Sequence, residues 1–348
     1  MTRTTPLKWF GAAALSLTVL ASTSACSDPA SGSSRGDKKQ VSIVGFSILK
    51  TANKQVIADF QKTKAGKDVE FKESYGASGD QARAVIAGLK ADEVHLSLEP
   101  DVTRLVDAGM VDKNWKDNAT DGMCSQSIVV MVVKSGNPKH ITSWSDLTKP
   151  GVGIVTPNPA SSGSAKWNLL AAYGSVLADG GSAADADKYM KAFFNNVAAL
   201  PDSGRDATTA FTGGTGDVLL SYENEAILAR QSGTDFDYVI PDSSILIQNP
   251  CALTTGASKS AQSWMDFQKS KEGQKLYAET GYRPLEDVGD VTVEGANDPS
   301  NPFPEPKKLL TIDKDFGGWG VANDKFFGDG TDGAPTGILT KIQSEAGQ

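Results

Sequence analysis

The chain has 348 residues, of which 39% are hydrophobic and 22% charged, with 35 glycines and 7% aromatics. At about 150 residues per domain this length suggests two domains, and the balance is that of an ordinary globular protein. Acidic residues outnumber basic ones, 42 to 34, for a formal charge of −8. No basic run exceeds short pairs such as Lys38-Lys39, which argues against a duplex nucleic-acid binder, and two histidines and three cysteines leave little material for a metal centre.

The one long apolar stretch, Trp9 to Ala21, lies at the N-terminus behind Arg3 and Lys8. A positive start and an apolar run of about 13 residues match a secretory signal peptide, residues 1–25. The run is shorter than the roughly 20 residues of a transmembrane helix, so a multi-span membrane protein is excluded. Thr23-Ser24-Ala25-Cys26 resembles a bacterial lipoprotein cleavage site, with Thr23 where a leucine is usual. Cys26 is the expected lipidation site; plain secretion with an unmodified thiol is the alternative. Ser27 to Gln40 has no apolar periodicity and reads as a flexible tether spanning about 20 Å. Loss of the leader removes Arg3 and Lys8 and no acid, so the mature charge falls to about −10.

Beyond the tether, strands and helices alternate. Val41–Ser47 and Val69–Tyr75 read as strands, and from Ser78 the apolar positions Ala82, Val85, Ile86 and Leu89 follow helical spacing. Glu93–Leu98, Val152–Thr156 and Asp217–Tyr222 are further strands, and Ile128–Val133 suits a strand buried on both faces. This order predicts an α/β architecture with mainly parallel sheets. Cys124–Lys134 and Ile245–Thr255 are the candidate crossings between two lobes. With Cys26 assigned to lipid, Cys124 and Cys251 remain, and an isolated pair in an exported protein favours a disulfide over two buried thiols.

Three places share one design: a strand ends, glycine or a small polar residue follows, and a helix begins. They are Tyr75-Gly-Ala-Ser78-Gly-Asp80, Thr156-Pro-Asn-Pro-Ala-Ser161-Ser162-Gly163-Ser164, and Pro201-Asp-Ser203-Gly204-Arg205. Each exposes backbone N–H groups at the positive end of a helix, where an oxyanion can approach closely. Singly, each is as well explained by an ordinary cap.

Together these segments resemble the sulfate-binding proteins of ABC transporters. So do Val111–Trp115, Gly136–Lys139, Trp144–Leu147, Gly216–Ala226, Gly281–Pro284 and Phe316–Trp319. The likeness runs from about Val41 to about Phe327 and, with the leader, is nearest to actinobacterial sulfate-binding lipoproteins. The resemblance implies a type II periplasmic binding protein: lobe 1 from 41–126 plus 248–348, lobe 2 from 127–247, and a ligand cleft between them. It implies sulfate contacts from Ser47, Ser78, Ser162, Gly163, Ser164, Gly204 or Arg205, and Tyr222. Ser164 stands where the family has a second glycine, and Tyr222 where it has a tryptophan indole. Asp202-Ser203-Gly204-Arg205 lacks an alanine present in enterobacterial members. No cofactor is implied. The expected partners are sulfate, a permease pair with a cytoplasmic ATPase, and the membrane through lipid on Cys26, with the protein a monomer on the outer face of the cell membrane.

A pocket made only of donors suits sulfate, which carries no proton near neutral pH, whereas hydrogen phosphate needs an acceptor. Asp80, two residues after Ser78, is expected to face solvent at the helix start; facing the ligand, it would favour a protonated anion. Binding of thiosulfate, molybdate or phosphate is the nearer alternative and a secreted enzyme the more distant one. No nucleophile elbow, His-Glu-x-x-His or Cys-x-x-Cys is present, His95 and His140 lack evident partners, and Asp329–Gly333 reads as a surface turn. Trp144, Trp167 and Trp319 are expected in the core.

Overall fold

Val41 to Phe46, apolar but for Ser42, forms a strand buried along its length. The computed structural model describes residues 39–331 and 335–348; the leader, Cys26 and the tether to residue 38 lie outside the described residues. Lys39 and Gln40, expected in the tether, are instead paired with Val69 and Glu70. Main-chain pairing needs no apolar side chain, so it extends past the hydrophobic pattern.

The described elements, in order, are β1 (Lys39–Phe46), α1 (Leu49–Phe60), β2 (Val69–Gly76), α2 (Ser78–Ile86), β3 (Glu93–His95), α3 (Glu99–Asp107) and β4 (Met123–Val133). Next come β5 (Ile154–Val155), α4 (Gly163–Ala178), α5 (Ala183–Asn195), β6 (Val197–Ala199), α6 (Gly204–Thr212), β7 (Val218–Tyr222), α7 (Glu223–Gln231) and β8 (Asp237–Val239). The chain continues with β9 (Ser243–Leu253), α8 (Lys259–Lys269), α9 (Lys271–Glu279), β10 (Lys308–Leu310), α10 (Ile312–Phe316), α11 (Gly318–Phe327) and α12 (Ile338–Glu345).

The strands hydrogen-bond in the order β2-β1-β3-β9-β4-β7-β5-β6, with β10 on β9 and β8 on β4. The sheet is mixed rather than mainly parallel. β1 is parallel to β2 and β3, and β5 is parallel to β6 and β7, but β4 is antiparallel to β7, β8 and β9. A run buried on both faces signals a central strand but carries no direction, so it holds no sign that β4 runs antiparallel to its neighbours. Met123–Ile128 of β4 pairs with β9, and Val129–Val133 then pairs with β7. The two predicted crossing segments are thus one antiparallel ribbon, and the Cys124–Cys251 disulfide joins its strands. Ile86 and Leu89 fit helical spacing but are exposed, Leu89 past the end of α2. Trp144, Trp167 and Trp319 are buried.

Along β3 and the residues just after it, Glu93, His95 and Ser97 are buried at alternate positions. Glu93 accepts from Trp264 Nε1 at 2.5 Å and Gln268 Nε2 at 2.6 Å, and burial pushes its carboxyl up to about 7. It lies within 4.8 Å of the Cys124 and Cys251 sulfurs, but these are bonded to each other, so no thiolate is left for a metal. Between its ordinary value and about 7 the folded chain holds a proton that the unfolded chain has released, so this group lowers stability as pH rises through that window. Glu93→Gln removes the charge. Its stability relative to the unsubstituted chain is expected to rise by about 2–3 kcal/mol from pH 4.5 to pH 8, whatever the offset from the new amide. Urea titrations at several pH values check this; a difference independent of pH contradicts it.

Candidate functional site

Four helix starts converge on one small cavity of about 10 Å³. Ser47 and Ile48 come from the turn into α1, Ala77 and Ser78 from the start of α2, and Ser162, Gly163 and Ser164 from the start of α4; Ser97, after β3, closes the wall. Gly204, first residue of α6, sits at the edge: a Cβ there would lie 2.7 Å from Ile48 Cδ1 and 3.0 Å from Ser164 Oγ. No charged side chain lines this cavity. Two larger cavities among the described residues, about 250 and 480 Å³, carry an excess of carboxylates (Glu99, Asp121 and Asp313 against Lys116 in one, Asp287 and Asp290 in the other) that disfavours anions.

Helices α5, α8, α9 and α10 are closed by Ser182, Ser258, Ser270 and Thr311, each accepting a backbone N–H of its first turn. Helices α1, α2 and α4 have no side-chain cap, a property they share with α3, α7, α11 and α12. The first-turn amides of an α-helix have no partner inside it, so those of Ser78, Gly163 and Ser164 face the cavity at the positive end of the dipole. Helix α6 is capped at its third residue, with Ser203 Oγ accepting from the Asp206 N–H, which leaves Gly204 at its tip. Such a set of amides binds an anion without a counter-charge.

The hydroxyls are more constrained than the amides. Ser78 Oγ donates to Asp101 Oδ2 at 2.6 Å and accepts from the Ser97 N–H at 2.9 Å. Its proton is engaged, so Ser78 offers the cavity its amide first. Asp101 is buried, which raises its carboxyl. Ser162 Oγ and Ser164 Oγ share a hydrogen bond at 2.8 Å, so one hydroxyl proton of the pair is free to turn inward.

Of the residues implied at the site, Ser47, Ser78, Ser162, Gly163 and Ser164 come together, with Gly204 beside them. The Arg205 and Tyr222 side chains do not reach the cavity wall. The Arg205 guanidinium pairs with buried Glu225 at 2.9 Å, and its amide donates to Ser47 Oγ at 3.4 Å. The Tyr222 hydroxyl is fully buried and shares a 2.6 Å hydrogen bond with Ser97 Oγ; burial raises its pKa, keeping the phenol neutral. Tyr222 thus lies one residue behind the wall. Asp80 is half exposed and paired with Arg83, facing solvent as expected.

Sequence reading missed Ser97 and Asp101. The signal for Ser97 is the polar alternation Glu93, His95, Ser97 in a strand whose other positions are apolar. Asp101 follows Ser78 by one helix and carries no local signal. His95 has no catalytic surroundings: it is buried, its Nε2 lies 3.1 Å from Ser125 Oγ, and burial pulls its pKa down to about 3.

Residues 42–283 match the family profile described as bacterial extracellular solute-binding protein. The sulfate-binding protein of Synechococcus elongatus is 40% identical over 332 residues, 91% of this chain and 93% of that protein. The sulfate-binding protein of Escherichia coli is 39% identical over 77% of this chain and 83% of its own length. Among solved structures, the sulfate-binding protein SubI from Mycobacterium tuberculosis is 40% identical and superposes with a TM-score of 0.77, covering 83% of this chain and all of that one.

Proposed function

Because the chain belongs to the bacterial extracellular solute-binding proteins, we propose that it captures sulfate with backbone amides and hydroxyls at helix N-termini and delivers it to an ABC importer. It is a binding protein and not an enzyme. The observation that carries the ligand reading is the uncharged cavity of convergent, uncapped helix starts. Each charge-assisted hydrogen bond contributes about 1.5–3 kcal/mol, so five or six of them offset dehydration and ordering and leave micromolar or tighter affinity. The sulfate-binding names of relatives near 40% identity support the same reading.

The donors are the amides of Ser78, Gly163, Ser164 and Gly204, with hydroxyls from Ser47 and the Ser162–Ser164 pair. Arg205 and Tyr222 act from behind, Arg205 by holding Ser47 and Tyr222 by holding Ser97. Two lobes, 41–126 plus 248–348 and 127–247, close over the ion about the β4–β9 ribbon, save that β10 pairs with Ser243–Ile245 and α12 packs on α5, so this last stretch travels with 127–247. The change of partner within β4 supports that hinge. The chain is exported and held at the outer face of the membrane by lipid on Cys26. It works as a monomer and hands its ligand to a permease pair driven by a cytoplasmic ATPase.

Titration calorimetry at pH 7 tests the ligand. Sulfate is expected to bind at least about 100-fold more tightly than phosphate, because the phosphate proton finds no carboxylate in the cavity wall, only serine hydroxyls already engaged in hydrogen bonds of their own. Equal or tighter phosphate binding rejects the sulfate reading.

A further inference from the structure

A second cavity of about 30 Å³ adjoins the first and shares Ser162 and Gly163 with it. Its chemistry is the opposite. Three cations line it, Arg83 from α2, Arg104 from α3 and Lys166 from α4, against a single carboxylate, Asp101. That carboxylate is already engaged, with Oδ2 taking the Ser78 proton and Oδ1 lying 3.5 Å from Arg104. Lys166 has no carboxylate within ion-pair distance among the described residues; its ammonium takes the neutral amide oxygen of Asn323 at 2.7 Å. Arg83 and Arg104 are about half exposed, Arg83 paired with the equally exposed Asp80.

We propose that this cationic cavity is an outer docking site, where a small inorganic dianion is caught before it passes along Ser162 and Gly163 to the inner amides. The proposal rests on the sulfate reading above. The mature chain, with a net charge of about −10, repels a dianion at long range, so the inner cavity, which has no charged side chain of its own, gains nothing from the long-range field. A local group of cations beside it focuses the field and raises the encounter rate. Ser162 and Gly163 border both cavities, so an ion held by the cations lies one residue from the inner amides.

Stopped-flow fluorescence with sodium sulfate tests the step on the whole chain. Trp167 is the reporter, its indole N–H donating to the carbonyl of Ser97 at the inner wall. In about 10 mM salt, Arg83→Gln/Arg104→Gln is expected to associate about 5–10-fold more slowly than the unsubstituted chain, with dissociation changed less than about twofold. The gap closes near 0.3 M salt, where charges are screened, and Arg83→Lys/Arg104→Lys restores most of the rate. Equal association rates at low salt in a folded variant, or a loss carried wholly by dissociation, overturn the docking step. Failure of the unsubstituted chain to bind sulfate instead overturns the sulfate reading, and the docking step falls with it.

Discussion

Gly163→Ala is expected to weaken sulfate binding by at least about 100-fold while leaving the chain folded. Gly163 is the first residue of α4, and a Cβ there would lie 2.7 Å from Ser97 Cβ and 2.8 Å from Leu98 Cγ. Leu98 is buried and cannot swing clear, so the start of α4 must withdraw from β3. That movement carries the Gly163 and Ser164 amides away from those of Ser78 and Gly204. Losing two charge-assisted bonds costs about 3–6 kcal/mol, and each 1.4 kcal/mol is tenfold in affinity. Gly163 is not among the residues with positive φ, and alanine is the better helix former by about 1 kcal/mol. Backbone strain therefore does not explain the loss. Calorimetry measures it, with far-ultraviolet circular dichroism as the check on folding; an affinity within threefold of the unsubstituted chain rejects this geometry.

Segments Tyr75–Asp80, Thr156–Ser164 and Pro201–Arg205 were readable as anion-binding helix starts because glycine and serine beside a strand end are a local signature. What brings them together is not local. Ser78 and Ser162 meet only because β3 and β4 flank β9 in the sheet, an order fixed by pairings between residues more than 100 positions apart. Strand direction was hidden for the same reason: burial on both faces marks β4 as central whichever way its neighbours run. Tyr222 and Arg205 carried the resemblance but not their reach. A buried phenol ends on its nearest acceptor, Ser97, and a guanidinium turns to the nearest buried carboxylate, Glu225. Local pattern identifies the donors, and tertiary contact decides which of them face the ion.

The Cys124–Cys251 bond gives the second large effect. It closes a sequence separation of 127 residues and lies inside the β4–β9 ribbon, with both cysteines fully buried against Met265. In the chain-entropy picture, opening a loop of that length returns about 4–5 kcal/mol of freedom to the unfolded chain. Cys124→Ala/Cys251→Ala is therefore expected to melt about 10 °C lower. Sulfate affinity is expected to stay within about threefold, because the ribbon keeps its own ladder: Ser125, Gln126, Ser127 and Ile128 remain paired with Asn249, Gln248, Ile247 and Leu246. Calorimetric melting with and without sulfate separates the two quantities. A melting point within 2 °C of the unsubstituted chain rejects the cross-link as a source of stability. A large loss of affinity beside a small loss of stability makes it instead a part of the hinge that lobe closure cannot do without.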